Sequence, residues 1–404
     1  MITKHKKPIG PKEFTVMMAL LMSLVAMTID AILPALVTIG DAFEVADPNR
    51  VQFIIACVFI GMATGQMISG PLSDALGRKR LLYFSFSVYI IGSTVALFAP
   101  SFEMILVGRF IQGIGVAGPY VSAVSIVRDK FAGRAMAKTM SLVMTIFILV
   151  PAIAPTLGQA VIYLGSWHSV FVLYIVYAIA VASWITLRLE ETLPPERRIP
   201  FNIKNIVHGV KEVLSNRATV CYMFCSACVF GSFMGYLVTC PQVFMDKFGV
   251  GDSFVLYFGA LALTLGGSSL VNSRIVEKFG MRYICLRALC VVILASAVFL
   301  AINYFVDITL WIWMGYAAVL FSCFGMVFGN MNALAMEPMG HIAGIASAVI
   351  GAIATTTAIT LGTSIGQHYD GSLTPIATGF VILASCAIGL ILFAQPRGAQ
   401  PSQV

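Results

Sequence analysis

The sequence predicts an all-α membrane protein whose twelve transmembrane helices form two pseudo-symmetric six-helix bundles. Hydrophobic residues make up 59% of the 404 residues and charged residues only 11%, whereas soluble domains are about 25% charged. The mean hydropathy is +0.92, and the apolar residues are grouped in long runs. Because the chain lacks the polar side chains that a water-facing surface needs, we exclude a soluble domain.

The first apolar run extends from about Phe14 to Val37. At about 1.5 Å per residue it can cross a hydrocarbon core of about 30 Å. It is longer than the h-region of a secretory signal, which is about 7 to 15 residues, and it has no small-residue cleavage site. The other predicted spans lie near residues 51–73, 81–99, 102–127, 136–163, 168–187, 218–240, 253–274, 283–304, 308–336, 343–367 and 374–394.

The basic residues predict the orientation of these spans. An even number of spans places both chain ends on one side, and the Lys-rich N-terminus assigns that side to the cytoplasm. Arg50 and Lys247 then lie on the opposite side, and Arg109 lies within a span. The cytoplasmic side receives the other basic residues, among them Lys4, Lys6, Lys7, Lys12, Arg128, Lys130, Arg134, Lys138, Arg274, Lys278, Arg282 and Arg287. We therefore expect a multi-pass protein with N-in and C-in topology.

One long polar stretch divides the chain. We predict an N-terminal bundle over residues 1–188, a cytoplasmic linker over 189–217 and a C-terminal bundle over 218–404. Prolines make the start of the linker irregular. The segment from Asn202 to Leu214 has the pattern of a short amphipathic helix lying on the membrane face.

The two halves share an internal repeat. LGQ at 157–159 corresponds to IGQ at 365–367. The ends of the second and eighth spans share an acidic residue, a glycine and a basic residue, which are Asp74, Gly77 and Lys79 in the first half and Glu277, Gly280 and Arg282 in the second. Parallel repeats of this kind are typical of membrane transporters built from two helix bundles.

Three segments resemble motifs of the major facilitator superfamily. GQMISGPLSDALGRKR at 65–80 looks like its signature between the second and third helices. RFIQGIGVAG at 109–118 is similar to its fourth-helix motif, and PAIAPTLGQ at 151–159 looks like its fifth-helix antiporter motif. Two positions depart from the pattern: Gln159 stands where the family usually has a second glycine, and Met281 stands where the first half has Arg78.

Further segments are similar to the bicyclomycin-resistance (Bcr/CflA) branch of drug/proton antiporters. They are TIDAILPAL at 28–36, SIVRDKF at 125–131, Tyr236 with Pro241, and Asn272 to Ile275. This resemblance implies a proton-coupled antiporter of the bacterial inner membrane that exports small amphipathic compounds or drugs by alternating access. A carrier dedicated to one metabolite, such as a sugar, a siderophore or an amino-acid derivative, is the alternative on the same fold.

The resemblance also implies what the protein binds. We expect a monomer whose partners are a small-molecule substrate, protons and membrane lipid, and we expect no nucleic acid. The proton gradient would supply the energy, so no cofactor is expected. Because no nucleophile, base and orienting group can be grouped from the sequence, we expect no enzymatic activity.

Asp30 and Arg109 are the predicted proton-coupling residues. A carboxylate in the middle of a spanning helix costs about 2.5 to 3.5 kcal/mol on insertion scales, so it should face a cavity or a partner. Counted from the outer helix ends, both residues lie roughly 11 to 12 Å deep. In the resembled family their helices line one central cavity, which would let the two residues meet or compete for a proton and the substrate. A permanent ion pair is the alternative, which the burial of charge in lipid disfavours.

Several residues are candidates for the substrate cavity. Gln112 and Tyr120 share the helical face of Arg109, although ordinary hydrogen bonds between helices explain them equally well. Aromatic rings suit lipophilic or cationic substrates, although most such rings are packed or face lipid. The aromatic candidates are Phe147, Phe233, Tyr236 and Phe328.

The motif at 65–80 supplies a predicted conformational latch. In the resembled superfamily its aspartate lies near a helix N-terminus of the other bundle, where the helix dipole favours an anion. Its arginine pairs with an acid at the end of the fourth span, for which Asp129 is placed. The candidate latch residues are Gly70, Asp74, Gly77, Arg78, Arg80 and Asp129. A loop that only carries positive charge on the cytoplasmic side is the alternative.

Pro151, Pro155 and Gly158 form the predicted antiporter-motif helix. The prolines are expected to break and bend this helix, and the glycine to let a neighbouring helix approach closely. The resembled family associates this segment with exchange rather than symport.

Neither a metal site nor a nucleotide site is predicted. Cys221, Cys225 and Cys228 fall on one helix face, but a zinc site needs a fourth ligand and polar support that the sequence does not offer. GIGVAG at 113–118 has the letters of a dinucleotide fingerprint but lies inside an apolar helix rather than after a strand. We expect its glycines to be close-packing positions.

Overall fold

The computed structural model describes residues 9–131, 133–198 and 203–394. The N-terminal Lys4, Lys6 and Lys7, the first residue of the predicted linker helix, Asn202, and the tail from residue 395 lie outside the described residues. Within the described ranges every regular element is a helix, and twelve spans are long and apolar enough to cross a membrane. The predicted all-α membrane fold is confirmed.

The first span consists of two helices, α1 (Pro11–Asp30) and α2 (Leu36–Ala42), separated by a 3-10 turn over Leu33–Ala35. A second 3-10 turn over Pro48–Gln52 precedes the next helix. The other helices are α3 (Phe53–Leu76), α4 (Arg78–Leu97), α5 (Phe102–Lys130), α6 (Gly133–Leu164), α7 (His168–Arg188), α8 (Ile203–Ser215), α9 (Arg217–Gln242), α10 (Phe254–Phe279), α11 (Met281–Phe305), α12 (Leu310–Met336), α13 (Ala343–Gln367) and α14 (Thr374–Phe393).

The chain divides into two compact units. Unit 1 comprises Met1–Phe43 and Cys57–Asn202, and unit 2 comprises Glu44–Ala56 and Ile203–Val404. The division differs from the predicted halves at two places. The start of α3 belongs to unit 2, and the predicted linker is shared, because its first part belongs to unit 1 and α8 belongs to unit 2.

Glycines bring α5 against its neighbours in unit 1. A Cβ on Gly113 would overlap the carbonyl oxygen of Val58 in α3, and a Cβ on Gly115 would overlap the backbone of Tyr89 in α4. Both glycines belong to GIGVAG, which lies inside α5. They are therefore positions of close helix packing and not a phosphate-binding loop.

In unit 2 a pair of buried amides joins α10 to α12. Asn272 Nδ2 donates to Asn330 Oδ1 at 3.2 Å, and Asn330 Nδ2 donates to Asn272 Oδ1 at 3.0 Å. The amphipathic helix α8 packs its Gly209 against Ile345 of α13. Its predicted bounds, Asn202 to Leu214, are each one residue earlier than those observed.

The connection that the sequence predicts over residues 74–80, between the second and third spans, is almost entirely helical. α3 continues through Pro71 and Asp74 to Leu76, α4 begins at Arg78, and Gly77 alone joins them. Gly77 has a φ of 99°, and Gly280, its counterpart in the sequence repeat, has a φ of 78°. Glycine reaches this region without steric penalty, so the repeat preserves a one-residue turn between helices.

The expected effect of the prolines in the fifth span is also corrected. Pro151 and Pro155 do not break α6, which is one helix over Gly133–Leu164. Prolines are tolerated inside membrane helices because neighbouring groups can satisfy the freed backbone atoms. The break occurs instead in the first span, which the sequence predicted as one continuous helix.

Candidate functional site

The helix of the first span ends at Asp30. Pro34 has no N–H group, so the carbonyl of Asp30, four residues earlier, cannot receive its helical hydrogen bond. Ala31 still donates its N–H to the carbonyl of Met27 at 3.2 Å, and Ala35 donates to the carbonyl of Ile32 at 2.8 Å within the 3-10 turn. Asp30 therefore lies at a helix C-terminus inside a membrane span, where backbone carbonyls are available to side chains.

Arg109 of α5 binds this helix end. Its Nη2 donates to the carbonyl oxygen of Thr28 at 2.8 Å, and its Nη1 donates to Gln112 Oε1 at 2.6 Å. Tyr174 of α7 donates its hydroxyl to the same Thr28 carbonyl at 3.1 Å, and the centre of its ring lies 5.8 Å from the guanidinium carbon. A helix C-terminus stabilises a cation. Arg109 is thus held at the carbonyl two residues before Asp30.

The polar contacts continue into α4. Gln112 Nε2 donates to Ser93 Oγ at 2.6 Å. The hydroxyls of Tyr89 and Thr28 share a hydrogen bond of 2.8 Å, and Thr28 Oγ1 donates to the carbonyl of Leu24 at 2.6 Å. Side chains of α1, α4, α5 and α7 therefore form one buried network within unit 1, which we call the Arg109 network.

Gly158 of α6 contacts the helix break directly. A Cβ at this position would overlap the carbonyl oxygen of Ala31. The antiporter-motif helix therefore packs against the residue that follows Asp30, at a distance that only glycine permits.

Asp30 itself is 5% exposed. No hydrogen bond or ion pair joins its carboxylate to any of the described residues, so the permanent ion pair with Arg109 is not formed in this structure. A buried carboxylate without a partner is costly unless it is protonated or bound by a ligand. Asp30 therefore has the surroundings of a group that exchanges a proton or contacts a substrate.

The candidate latch residues of unit 1 assemble around Arg78. Its Nε donates to Asp129 Oδ2 at 2.9 Å, and its Nη1 donates to Asp74 Oδ1 at 2.6 Å. Gly77 forms the turn before it. Arg80 is exposed and Gly70 lies within α3, and neither contributes to these bonds among the described residues. Arg78 thus connects the ends of α3 and α5.

Glu191, which follows α7, holds the N-terminus of α4. Its carboxylate accepts the backbone N–H groups of Arg78 at 3.0 Å and of Lys79 at 3.1 Å. Lys79 Nζ donates in turn to the carbonyl of Leu189 at 2.8 Å. An acidic side chain at a helix N-terminus satisfies free N–H groups and interacts favourably with the helix dipole.

Three of the aromatic candidates join one cluster in unit 2. The ring centre of Phe233 lies 5.8 Å from that of Phe328, and the ring centre of Tyr236 lies 4.8 Å from that of Phe321. Phe321 also contacts Phe233, at 5.6 Å.

Two other candidates are not brought together with this cluster. Tyr120 in α5 and Phe147 in α6 are half-buried in unit 1. Within the described ranges neither residue has a recorded hydrogen bond or ring contact with Arg109 or Gln112. In the same ranges no group of three or more His, Cys, Asp and Glu side chains could hold a metal ion.

Sequence reasoning missed several residues of these sites. Thr28, Tyr89, Ser93 and Tyr174 belong to the Arg109 network, and Glu191 belongs to the turn at Gly77. The spacing of four residues between Tyr89 and Ser93 places both on one helix face. The position of Pro34 four residues after Asp30 was the signal for the helix break.

Twelve candidate membrane spans among the described residues, together with a buried ionisable network inside unit 1, are features of a polytopic membrane transporter. The family model of the Major Facilitator Superfamily matches residues 18–366. The chain belongs to that superfamily and is a transporter rather than an enzyme.

Similar proteins agree with this assignment. An uncharacterized MFS-type transporter of Bacillus subtilis, YdgK, is 29% identical over 380 residues, with 91% of each chain covered. A bicyclomycin resistance protein homolog of Haemophilus influenzae is 26% identical over 369 residues, covering 90% of this chain and 91% of the relative. The structure of the xylose transporter XylE from E. coli matches with a TM-score of 0.73 at 14% identity, covering 95% of this chain and 96% of that chain. The named relative supports the drug-efflux branch, and the solved structure supports the fold.

Proposed function

We propose that the protein is a proton-coupled antiporter that exports small amphipathic compounds or drugs by alternating access. The observation that carries this proposal is the buried Asp30 carboxylate at a helix break, beside the Arg109 network. A titratable group at such a place is a functional site by default in a membrane span. The bicyclomycin-resistance name of a relative is what points to drugs as the substrate class.

In this mechanism protonation changes the charge of the site. A proton that reaches Asp30 from the outer side cancels the carboxylate charge, and the substrate is released there. Loss of the proton to the cytoplasm restores the negative charge close to the guanidinium of Arg109 and prepares the site for the next substrate. Arg109 stays in place because the Thr28 carbonyl and Gln112 hold it independently of Asp30.

The proton gradient is sufficient for concentrative export. Moving one charge across a membrane potential of 100 mV supplies about 2.3 kcal/mol. This free energy corresponds to a gradient of roughly fifty-fold. No cofactor is needed for such a step, and the substrate, protons and lipid are the partners of a monomer.

We place the protein in the inner membrane of a bacterium, with both ends in the cytoplasm. The support is the distribution of Lys and Arg, which cluster at one end of the spans. We also propose that the contacts of Arg78 with Asp74 and Asp129 act as the conformational latch of the transport cycle.

Proton release from inverted membrane vesicles tests the function. Vesicles with an acidified interior would receive bicyclomycin, chloramphenicol or ethidium, and a pH-sensitive dye would report protons leaving in exchange. We expect release with wild type and none with Asp30→Asn. Asp41→Asn is the matched control, because Asp41 is an exposed aspartate of the same span, in α2.

The outcomes separate the alternatives. Equal release from wild type and Asp30→Asn would remove Asp30 from the centre of the mechanism. Absence of release with every compound would reject drug/proton antiport and favour a carrier dedicated to one metabolite. A narrow competition profile among substrates would then identify that carrier.

A further inference from the structure

A groove with a volume of about 630 Å³ opens on the surface of unit 2. It lies between the end of α10, the first turns of α11 and the middle of α12. Its volume is within the range of small-molecule sites, which is about 300 to 1,000 Å³. The groove is separate from the Arg109 network, all of whose residues belong to unit 1.

The walls of the groove are apolar and open to the surroundings. Phe279, Tyr283, Val291 and Val319 line it and remain 40% to 49% exposed. All belong to helices that are long and apolar enough to span the membrane. Exposed apolar side chains of a spanning helix face lipid rather than water, so the natural occupant has hydrocarbon chains.

Arg287 is the one charged residue among those that line the groove. It follows the first residue of α11, Met281, by six positions and thus lies about 9 Å along the helix. Its guanidinium carbon lies 5.2 Å from the ring centre of Tyr283. Among the described residues no carboxylate pairs with it. An exposed arginine within a span is stabilised when its long side chain reaches an anion at the membrane surface.

The chain segment that joins α10 to α11, whose residues supply part of the groove lining, has an excess of positive charge. Arg274, Lys278 and Arg282 accompany Arg287 in this region, and Glu277 is the one acidic residue between positions 274 and 287. Arg282 is partly engaged, since its Nη2 donates to the carbonyl of Ile391 at 3.3 Å. Basic pockets between membrane helices bind the headgroups of anionic lipids.

We propose that this groove binds an anionic phospholipid. The phosphate would be bound by the guanidinium of Arg287, which presents paired N–H donors suited to phosphate oxygens. An acyl chain would lie along Phe279, Tyr283 and Val319. The proposal is independent of proton coupling and of the transported substrate, because it rests on unit 2 alone.

Native mass spectrometry of the delipidated full-length protein tests the proposal. The protein would be titrated with phosphatidylglycerol, phosphatidylcholine and glycerol 3-phosphate. One basic residue near the surface strengthens the binding of anionic lipid about fivefold. We therefore expect Arg287→Gln to weaken phosphatidylglycerol binding about fivefold and to leave phosphatidylcholine binding unchanged.

Two further variants make the test specific. Arg128→Gln removes an exposed arginine from the last turn of α5, outside the groove, and should leave lipid binding unchanged. Ala318→Phe fills the groove while keeping Arg287, and should weaken the binding of both lipids. Circular dichroism of each variant would establish that its helices are intact.

Several outcomes would overturn the proposal. Equal weakening of phosphatidylglycerol binding in Arg287→Gln and Arg128→Gln would show general charge attraction only. Glycerol 3-phosphate that bound as tightly as the lipid would assign the site to a free phosphate. A dimer whose fraction fell in Ala318→Phe would assign the groove to a second copy of the chain.

Discussion

Arg109 carries its charge in the interior of unit 1, where its side chain is 0% exposed. The carbonyl of Thr28 accepts hydrogen bonds from both Arg109 and Tyr174, although Thr28 belongs to a helix. Helical carbonyls become available in this way close to a helix end. The break after Asp30 therefore explains how a backbone carbonyl of α1 can accept a hydrogen bond from the buried guanidinium. It also leaves the Asp30 carboxylate available for a proton or a substrate.

Gly158→Ala should disturb this site through steric overlap. The new Cβ would overlap the carbonyl oxygen of Ala31, so the helix break or α6 must shift. Overpacking of this kind costs about 1 to 3 kcal/mol, and we expect a lower melting temperature in detergent and impaired transport. Gly315→Ala is the control, because no atom lies within 4 Å of the new Cβ. Equal melting temperatures for Gly158→Ala and wild type would contradict the packing argument.

The sequence predicted the charged members of the site better than their partners. Asp30 and Arg109 stand out because charges are rare in apolar spans, and counting helical rises placed them at one level. Their neighbours Ser93, Tyr89 and Tyr174 do not stand out, because single hydroxyl groups are common in membrane helices. The bond from Arg109 to the Thr28 carbonyl involves the backbone, and no side-chain pattern encodes it.

At the scale of elements, the interruption between α1 and α2 is the functionally important feature of the first span, because it places Asp30 at the end of a helix. The run from Phe14 to Val37 is apolar throughout, and hydropathy alone therefore predicts one continuous helix. The helices themselves were predictable because length and apolar composition are strong signals. Their interruptions were not, since Pro34 breaks the first span whereas Pro151 and Pro155 leave α6 continuous.

Pro34→Ala should stabilise the protein and impair transport. Alanine restores the N–H that can donate to the carbonyl of Asp30, and a proline inside a helix costs about 3 kcal/mol. Continuing the helix would move Asp30 relative to Arg109, and a displacement of about 1 Å at a reacting group can lower a rate about a hundredfold. We expect a raised melting temperature together with proton release at least about tenfold slower than in wild type.

Pro119→Ala provides the comparison for this prediction. Pro119 lies inside the continuous helix α5, so its replacement should change the melting temperature without abolishing proton release. Full transport by Pro34→Ala would show that the break at Asp30 is not required.

Glu191→Ala should weaken the start of α4. The backbone N–H groups of Arg78 and Lys79 would lose their acceptor, and loss of a helix N-terminal acceptor costs about 0.5 to 2 kcal/mol. A melting temperature below that of wild type is the expected result. Glu190→Ala changes the adjacent exposed glutamate, for which no hydrogen bond is recorded among the described residues, and should melt as wild type does. The same decrease in both variants would exclude a role in capping.

At the scale of the whole molecule, α3 is one helix whose first residues belong to unit 2 and whose remainder belongs to unit 1. Amide hydrogen bonds fix the 3-10 turn that directly precedes it, Pro48–Gln52, within unit 2. Gln52 Nε2 donates to Gln242 Oε1 at 2.8 Å and to the carbonyl of Gly366 at 3.1 Å. Gln367 Nε2 donates to the carbonyl of Asn49 at 2.8 Å. These bonds join the turn before α3 to the end of α9 and to the end of α13, all within unit 2.

Gln52→Leu should make this end of unit 2 open more readily. It keeps the side-chain size but leaves Gln242 Oε1 and the Gly366 carbonyl without this donor, and a buried polar group left unsatisfied costs about 1 to 3 kcal/mol. Cys240, two residues before Gln242 and 0% exposed, is a natural reporter. In a protein that keeps only this cysteine, we expect a membrane-permeant maleimide to react about tenfold faster after Gln52→Leu, the factor that corresponds to 1.4 kcal/mol.

A matched variant decides whether this effect belongs to the amide bonds. Gln66→Leu makes the same change in the same membrane span, at a buried glutamine of α3 for which no hydrogen bond is recorded among the described residues. It should leave the labelling rate of Cys240 unchanged. Because Gln52 lies before Cys57, at which the helix enters unit 1, faster labelling in Gln52→Leu alone would locate the restraint on α3 in unit 2. Equal labelling rates in both variants would show that packing, and not the amide bonds, keeps this end closed.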